Sequence, residues 1–263
     1  MAKRSEKQEM PSLYFHGLPG SAAELFAYGP DISRKASHFA IVQRANSLTR
    51  DSDGDYFENL ASQIAAEFPH GPLHLTGFSL GAATALRVAP YLGDRVTGID
   101  LVSPAGPLSL GDFLEDMAGA PVFRAALAGR LPFAVLTFLQ AQASRLAAGR
   151  VAKALMAGAA GEDRALADDT TFLSALSSSL RQSLLTQRAA YQHEISAYVA
   201  DWAHVLSKVT QPVRIWQGSE DNWTPPAMAR ALSQALPNFT GLTLMPDLSH
   251  FSTLRRHLQE NGQ

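Results

Sequence analysis

Three residues in this sequence have the types needed to turn a hydroxyl into a nucleophile: Ser79, Asp221 and His250. A serine hydroxyl attacks poorly until a base takes its proton, and that base works best when an acid orients it. Ser79 lies in Gly77-Phe78-Ser79-Leu80-Gly81, between an apolar run and a segment rich in alanine and leucine. A sharp turn there forces strained backbone angles on Ser79 and brings backbone close, so side chains at 77 and 81 would clash. The chemistry such a set supports is acyl transfer through the serine. The amide of Leu80, in the first turn of the following helix, has no intrahelical partner and can receive a developing oxyanion. Glu220 neighbours Asp221 and is the lesser candidate for the acid. Asp247 reads as a solvated loop residue, and Asp100, inside an apolar run, reads as a structural hydrogen-bond partner.

For these side chains to meet, strands must end on a common rim. Leu13-Tyr14-Phe15 forms a first strand and runs into His16-Gly17-Leu18-Pro19-Gly20-Ser21, where glycine and proline mark an abrupt turn. Ser21-Ala22-Ala23-Glu24 has the form of a capping box and predicts a helix start. Phe39 to Val42 is a second strand, followed by a polar loop from Arg44 to Asp55. Tyr56 to Phe68 has helical spacing, with Phe57, Leu60, Ile64 and Phe68 on one face. Leu73 to Phe78 is the strand before Ser79, and Gly93 closes the helix after it. Val96 to Val102, Pro212 to Trp216 and Leu242 to Met245 complete the strands. Thr224 with Pro225 suits an N-cap and first helical position, and a last helix begins near Ser252. Strands alternating with helices imply right-handed crossovers and a parallel, doubly wound sheet. In such a sheet the carboxyl ends of the strands share one rim, and Asp221 and His250 each follow a strand.

Between Leu108 and Leu206 the alternation stops. The segment is helical in composition, with breaks near Gly119-Ala120-Pro121, Leu131-Pro132, Gly149 and Gly158 to Gly161. It reads as an insertion, dividing the chain into a first core part (1–107), a helical lid (108–206) and a second core part (207–263). Phe113, Met117, Phe123, Phe133 and Phe138 in the insertion are candidates to line an apolar acyl pocket or to form the insertion's own core. Trp223 is close to the candidate acid and reads as packing.

HGLPGS at 16–21, GFSLG at 77–81, GSED at 218–221 and SHF at 249–251, in that order, resemble the α/β-hydrolase fold family over nearly the whole chain. The resemblance implies a Ser79 nucleophile, a His250 base, an Asp221 acid and a second oxyanion donor in the loop after the first strand. Pro19 has no amide hydrogen. By similarity to relatives with His-Gly-x-Pro, the amide of Leu18 is the implied donor and His16 braces the loop. The family core usually has two further strands before the one ending in His-Gly. Here only KRSEKQE and its neighbours precede it, so a sheet of about six parallel strands is expected. This leaves one sheet edge either exposed or covered by a partner subunit, the second of which would make a homodimer. Ser249 stands where many relatives have glycine.

With 22 Lys+Arg against 24 Asp+Glu the formal net charge is −2, which offers nothing to attract nucleic acid or an anionic membrane. No apolar run reaches the roughly 18 residues of a membrane span, and the N-terminal stretch lacks an apolar signal core. A cytoplasmic location is expected. Cysteine is absent, which removes disulfides, thiolate metal sites and a cysteine nucleophile. His38, His70, His74, His193, His204 and His257 show no metal-ligand spacing, and no metal or cofactor is implied. The expected partner is a small-molecule acyl substrate, with hydrolysis of a carboxylic ester or related acyl bond as the expected reaction. Acyl transfer and carbon–carbon bond hydrolysis use the same residues and stay open at this point, as does a non-catalytic ligand-binding protein on the same fold.

Overall fold

The computed structural model describes residues 10–47 and 55–261. The expected N-terminal tail, except its last residues, and most of the polar loop after the second strand lie outside the described residues. Six strands form one sheet: β1 (Ser12–Phe15), β2 (Phe39–Ile41), β3 (Leu73–Phe78), β4 (Val96–Val102), β5 (Val213–Gly218) and β6 (Phe239–Met245). All pairs are parallel, in the order β2-β1-β3-β4-β5-β6. The strand count and the doubly wound parallel sheet agree with the expectation. Ten α-helices are described: α1 (Pro30–Ala36), α2 (Tyr56–Glu67), α3 (Leu80–Leu92), α4 (Ala120–Leu127), α5 (Arg130–Leu155), α6 (Asp163–Leu166), α7 (Thr170–Arg181), α8 (Arg188–Val199), α9 (Pro226–Ala235) and α10 (His250–Asn261).

The central strands β1, β3 and β4 are buried on both faces, which is why they read as apolar runs rather than as clean alternation. Successive residues still point to opposite sides. Leu13, Leu75 and Ile99 pack with Leu60 and Ile64 of α2 and Leu86 of α3, in a cluster that also takes in α9. Tyr14, Phe78 and Val102 pack on the other side with Leu254 and Leu258 of α10 and Ile32 of α1. Register then fixes the rim. Phe15 pairs with Gly77, Phe78 with Val102, Val102 with Trp216, and Gly218 with Met245. The segments that follow, starting at His16, Ser79, Ser103, Ser219 and Pro246, therefore leave the sheet on the same side.

Between β4 and β5 the described chain holds α4 to α8 and short turns, with no strand. The long α5 is bent at Ala147, whose φ/ψ of −154°/53° are non-helical. A single π-helical turn, Gln182–Thr186, joins α7 towards α8. Among the described residues no helix is long and apolar enough to cross a membrane.

Three local expectations are corrected. Ser21 does cap a turn, accepting from the Ala23 amide, but the turn is a short 3-10 helix (Ala22–Phe26) and Glu24 does not close a capping box. Its carboxylate turns inward instead and accepts from the Gly17 amide at 2.9 Å and the Tyr14 hydroxyl at 2.7 Å. Thr224 does not cap α9, which starts at Pro226 behind Pro225, because its hydroxyl is engaged elsewhere. The last helix begins at His250 rather than near Ser252, so the candidate base sits in the helix's first turn.

Candidate active site

Ser79 takes φ 55° and ψ −125°, a left-handed backbone that a side-chain-bearing residue adopts only where its surroundings hold it there. Those surroundings are hydrogen bonds on both sides. Its amide donates to the Val102 carbonyl at 3.0 Å, and its carbonyl accepts from Ala82 at 3.0 Å and Ala105 at 3.1 Å. A Cβ at Gly77 would lie 2.6 Å from Ala82 Cα, and one at Gly81 would collide with the Phe15 carbonyl. The two glycines of the motif are thus required by close approach, as the spacing predicts.

Asp221, 3% exposed, is held by its own loop: Oδ1 accepts from the amides of Trp223 and Thr224, each at 2.9 Å. Gln217, fully buried on β5, donates from Nε2 to Oδ2 at 3.2 Å. His250 Nδ1 lies 3.0 Å from Oδ2 and 3.2 Å from Oδ1. Burial opposes ionisation of Asp221, but the charge interaction and hydrogen bond with His250, with the two loop amides, outweigh it and hold the carboxyl below its ordinary range. The Thr224 hydroxyl sits 3.3 Å from the same Nδ1 and donates to the Ser103 carbonyl at 3.0 Å.

The imidazole is packed from two sides. The Phe78 ring lies 4.7 Å from it, and the Trp223 ring stacks at 5.9 Å and 28°. Trp223 is therefore part of the site wall, beyond the packing role read for it. With Nδ1 facing Asp221 and the Thr224 hydroxyl, Nε2 is the ring nitrogen with no hydrogen-bond partner among the described residues. Ser79 and His250 line one small cavity of about 30 Å³ together with Gly17, Glu24 and Trp223.

The loop after β1 comes to the same place. The Gly17 amide is taken by Glu24 and the Gly20 amide by Ser183 Oγ at 3.1 Å. The amides of Leu18 and Leu80 have no hydrogen-bond partner among the described residues. Both residues line the cavity beside Ser79. Arg44, at the start of the expected polar loop, is 2% exposed behind the loop after β1. Its Nη2 donates to the His16 carbonyl at 2.8 Å and lies 2.8 Å from His16 Nδ1; its Nη1 donates to Glu194 of α8 at 2.8 Å. Burial and the Arg44 charge push the His16 pKa well down, so the ring is a neutral acceptor and a brace. Burial raises Glu24 to about 7, against the pull of Tyr14, Gly17, Arg44 and His250.

A cavity of about 210 Å³ runs from Ser79, Leu18 and Leu80 into the helices between β4 and β5. Of the five pocket candidates, Met117 and Phe123 line it. Phe113 and Phe133 do not line it and are 6% and 3% exposed in the core, the second role read for them, and Phe138 is 51% exposed on α5. Asp100 is occupied by His74 at 3.1 Å and Arg214 at 3.0 Å, in keeping with its structural reading. Among the described residues no group of His, Cys, Asp or Glu could hold a metal ion.

With this geometry in hand, the profile of the alpha/beta hydrolase family matches residues 13–260. The chain belongs to the alpha/beta hydrolase family. This hydrolase superposes on a bromoperoxidase from Bacillus anthracis with a TM-score of 0.62 at 15% identity, covering 96% of this chain and 89% of the other. It superposes on a thermophilic esterase from Thermogutta terrifontis with a TM-score of 0.59 at 17% identity, covering 97% and 91%. A hydrolase from Oleispira antarctica gives a TM-score of 0.60 at 16% identity, covering 96% and 92%. At such identities the likeness is one of fold. No curated protein sequence matches the chain.

Proposed function

We propose that this hydrolase cleaves a carboxylic ester through an acyl-enzyme on Ser79. The observation that carries the reading is the His250–Asp221 hydrogen bond of 3.0 Å with Ser79 on the wall of the same cavity as the imidazole. In this mechanism Asp221 holds the tautomer with hydrogen on Nδ1, and Nε2 takes the Ser79 proton as the oxygen attacks the carbonyl. The free amides of Leu80 and Leu18 hold the oxyanion. The tetrahedral adduct collapses as Nε2 returns its proton to the leaving alcohol. Water, deprotonated by the same nitrogen, attacks the acyl-enzyme, and the released Ser79 oxygen takes that proton back.

The helices between β4 and β5 act as a cover that sets substrate size and excludes water, a role supported by the apolar cavity they wall. The test is a fluorophosphonate probe followed by mass mapping. An adduct on Ser79, absent in Ser79→Ala, with ester turnover lost by roughly 10⁴-fold or more in that variant, is the expected result. Turnover that survives Ser79→Ala overturns the reading.

A further inference from the structure

The 210 Å³ cavity is apolar along most of its wall, but the part inside the helices keeps polar groups that the protein leaves unpartnered. Gln140 of α5 lines it, and its Oε1 is buried with no hydrogen bond. Tyr191 of α8 lines it too, is 2% exposed as a residue, and has no partner for its hydroxyl among the described residues. Ser144, one turn beyond Gln140, is fully buried with a partnerless Oγ. The two helices are stitched at this level, since Gln192 Nε2 donates to Thr137 Oγ1 at 2.5 Å. Tyr191 is the neighbour of Gln192 and Gln140 is one turn from Thr137, yet neither is drawn into that bond. Buried polar groups normally find partners, and unpaired ones cost stability.

The cavity suits the acyl side of Ser79. The leaving oxygen must be within reach of His250, and His250 lines the small neighbouring cavity rather than this one. The larger cavity instead contains both residues whose amides are free, Leu18 and Leu80. None of its lining residues is charged, so a carboxylate or ammonium on the acyl chain would be desolvated with no counter-charge. A plain alkyl chain would leave Gln140 and Tyr191 as unpaired as they are now. A hydroxyl has a proton to donate to an acceptor such as Gln140 Oε1 and lone pairs to accept from a donor such as the Tyr191 hydroxyl. The volume lies below the roughly 300–1,000 Å³ of pockets for drug-sized ligands, which limits the chain to short or medium length.

We infer that the substrate is an ester whose short or medium acyl chain carries a neutral hydroxyl, recognised by Gln140 and Tyr191. This rests on Ser79 being the nucleophile. The test uses chromogenic esters with one leaving group and acyl chains of equal length, unsubstituted or hydroxylated at successive positions. The readout is the ratio of kcat/KM for hydroxylated over plain ester within each protein, so a general loss of activity cancels. The ratio at the best position is expected to be about tenfold in the natural sequence and to fall to near one in Gln140→Leu and in Tyr191→Phe. A ratio of one or less at every position, or a ratio unchanged in both variants, overturns the inference. Fluorophosphonate labelling of the same preparations separates the two readings. Labelled Ser79 with a flat ratio defeats the hydroxyl inference alone, whereas absent labelling with no turnover defeats the serine mechanism and the inference together.

Discussion

Glu24 is a buried carboxyl, 7% exposed, behind the amide that sets the loop after β1. Burial raises its pKa to about 7 from an ordinary 4.5. Between those values the folded chain keeps a proton that the unfolded chain has lost, so this group makes stability fall as pH rises from about 4.5 to about 7. Glu24→Gln keeps an oxygen for Gly17 and Tyr14 and removes the titration. The variant should gain on the order of 2 kcal/mol relative to the natural sequence between pH 5 and pH 8. Urea unfolding of both proteins at the two pH values checks this, and equal differences at both would refute it. At this scale the candidate triad was legible and its supports were not. Ser79, Asp221 and His250 sit in short motifs at strand ends, where spacing alone constrains them. Glu24 was misread because Ser-x-x-Glu looks the same whether the carboxylate turns back to the cap or inward to a neighbouring loop. Thr224 was misread because threonine before two prolines also satisfies the rules for a helix start.

α10 carries His250 at its first position, and its cap comes from another element. Asp163 of α6 accepts from the Phe251 amide at 3.0 Å and the Ser252 amide at 2.6 Å, tying off donors that a helix N-terminus leaves open. Burial raises the Asp163 pKa against the pull of these bonds and of His250, so the carboxylate depends on the helix as the helix depends on it. Asp163→Ala should cost about 1–2 kcal/mol of stability. It should also lower kcat more than it raises KM, because the displaced group is the candidate base. Steady-state kinetics beside denaturant unfolding will show this, and an unchanged kcat would mean that α10 is held without Asp163. No signal in the sequence announces such a cap. The donor helix and the acceptor side chain are 88 residues apart for Phe251, and α6 is only four residues long. The fate of Phe138 was hidden for a related reason: α5 is apolar at several positions around its circumference, and only its neighbours decide which face is covered.

Across the molecule, Arg44 joins parts of the chain that are distant in sequence. Its guanidinium links the loop after β1, α3 through Thr84 at 3.2 Å, and α8 through Glu194. Removing one member of a buried ion pair leaves the other charge uncompensated, so Glu194→Leu should destabilise by about 3–5 kcal/mol. Adding Arg44→Met should recover part of that loss, and a double-mutant cycle by denaturant unfolding measures the coupling. Additive losses would show the pair to be independent. The parallel sheet and the helical segment could be anticipated from the alternation of apolar runs and its interruption. The joints between them could not, since they are made by single polar residues: Arg44 to Glu194, Ser183 to Gly20, Asp163 to α10. Those joints bear on how the enzyme comes into being. The helical segment that supplies them precedes β5 in the chain, but its contacts beside Asp221 and His250 are made with residues that follow β5. On the proposed mechanism, a chain in which α10 has come away from the sheet would keep Ser79 on its turn yet lack a steady proton acceptor. On that mechanism such a chain would stay chemically silent until α10 docks.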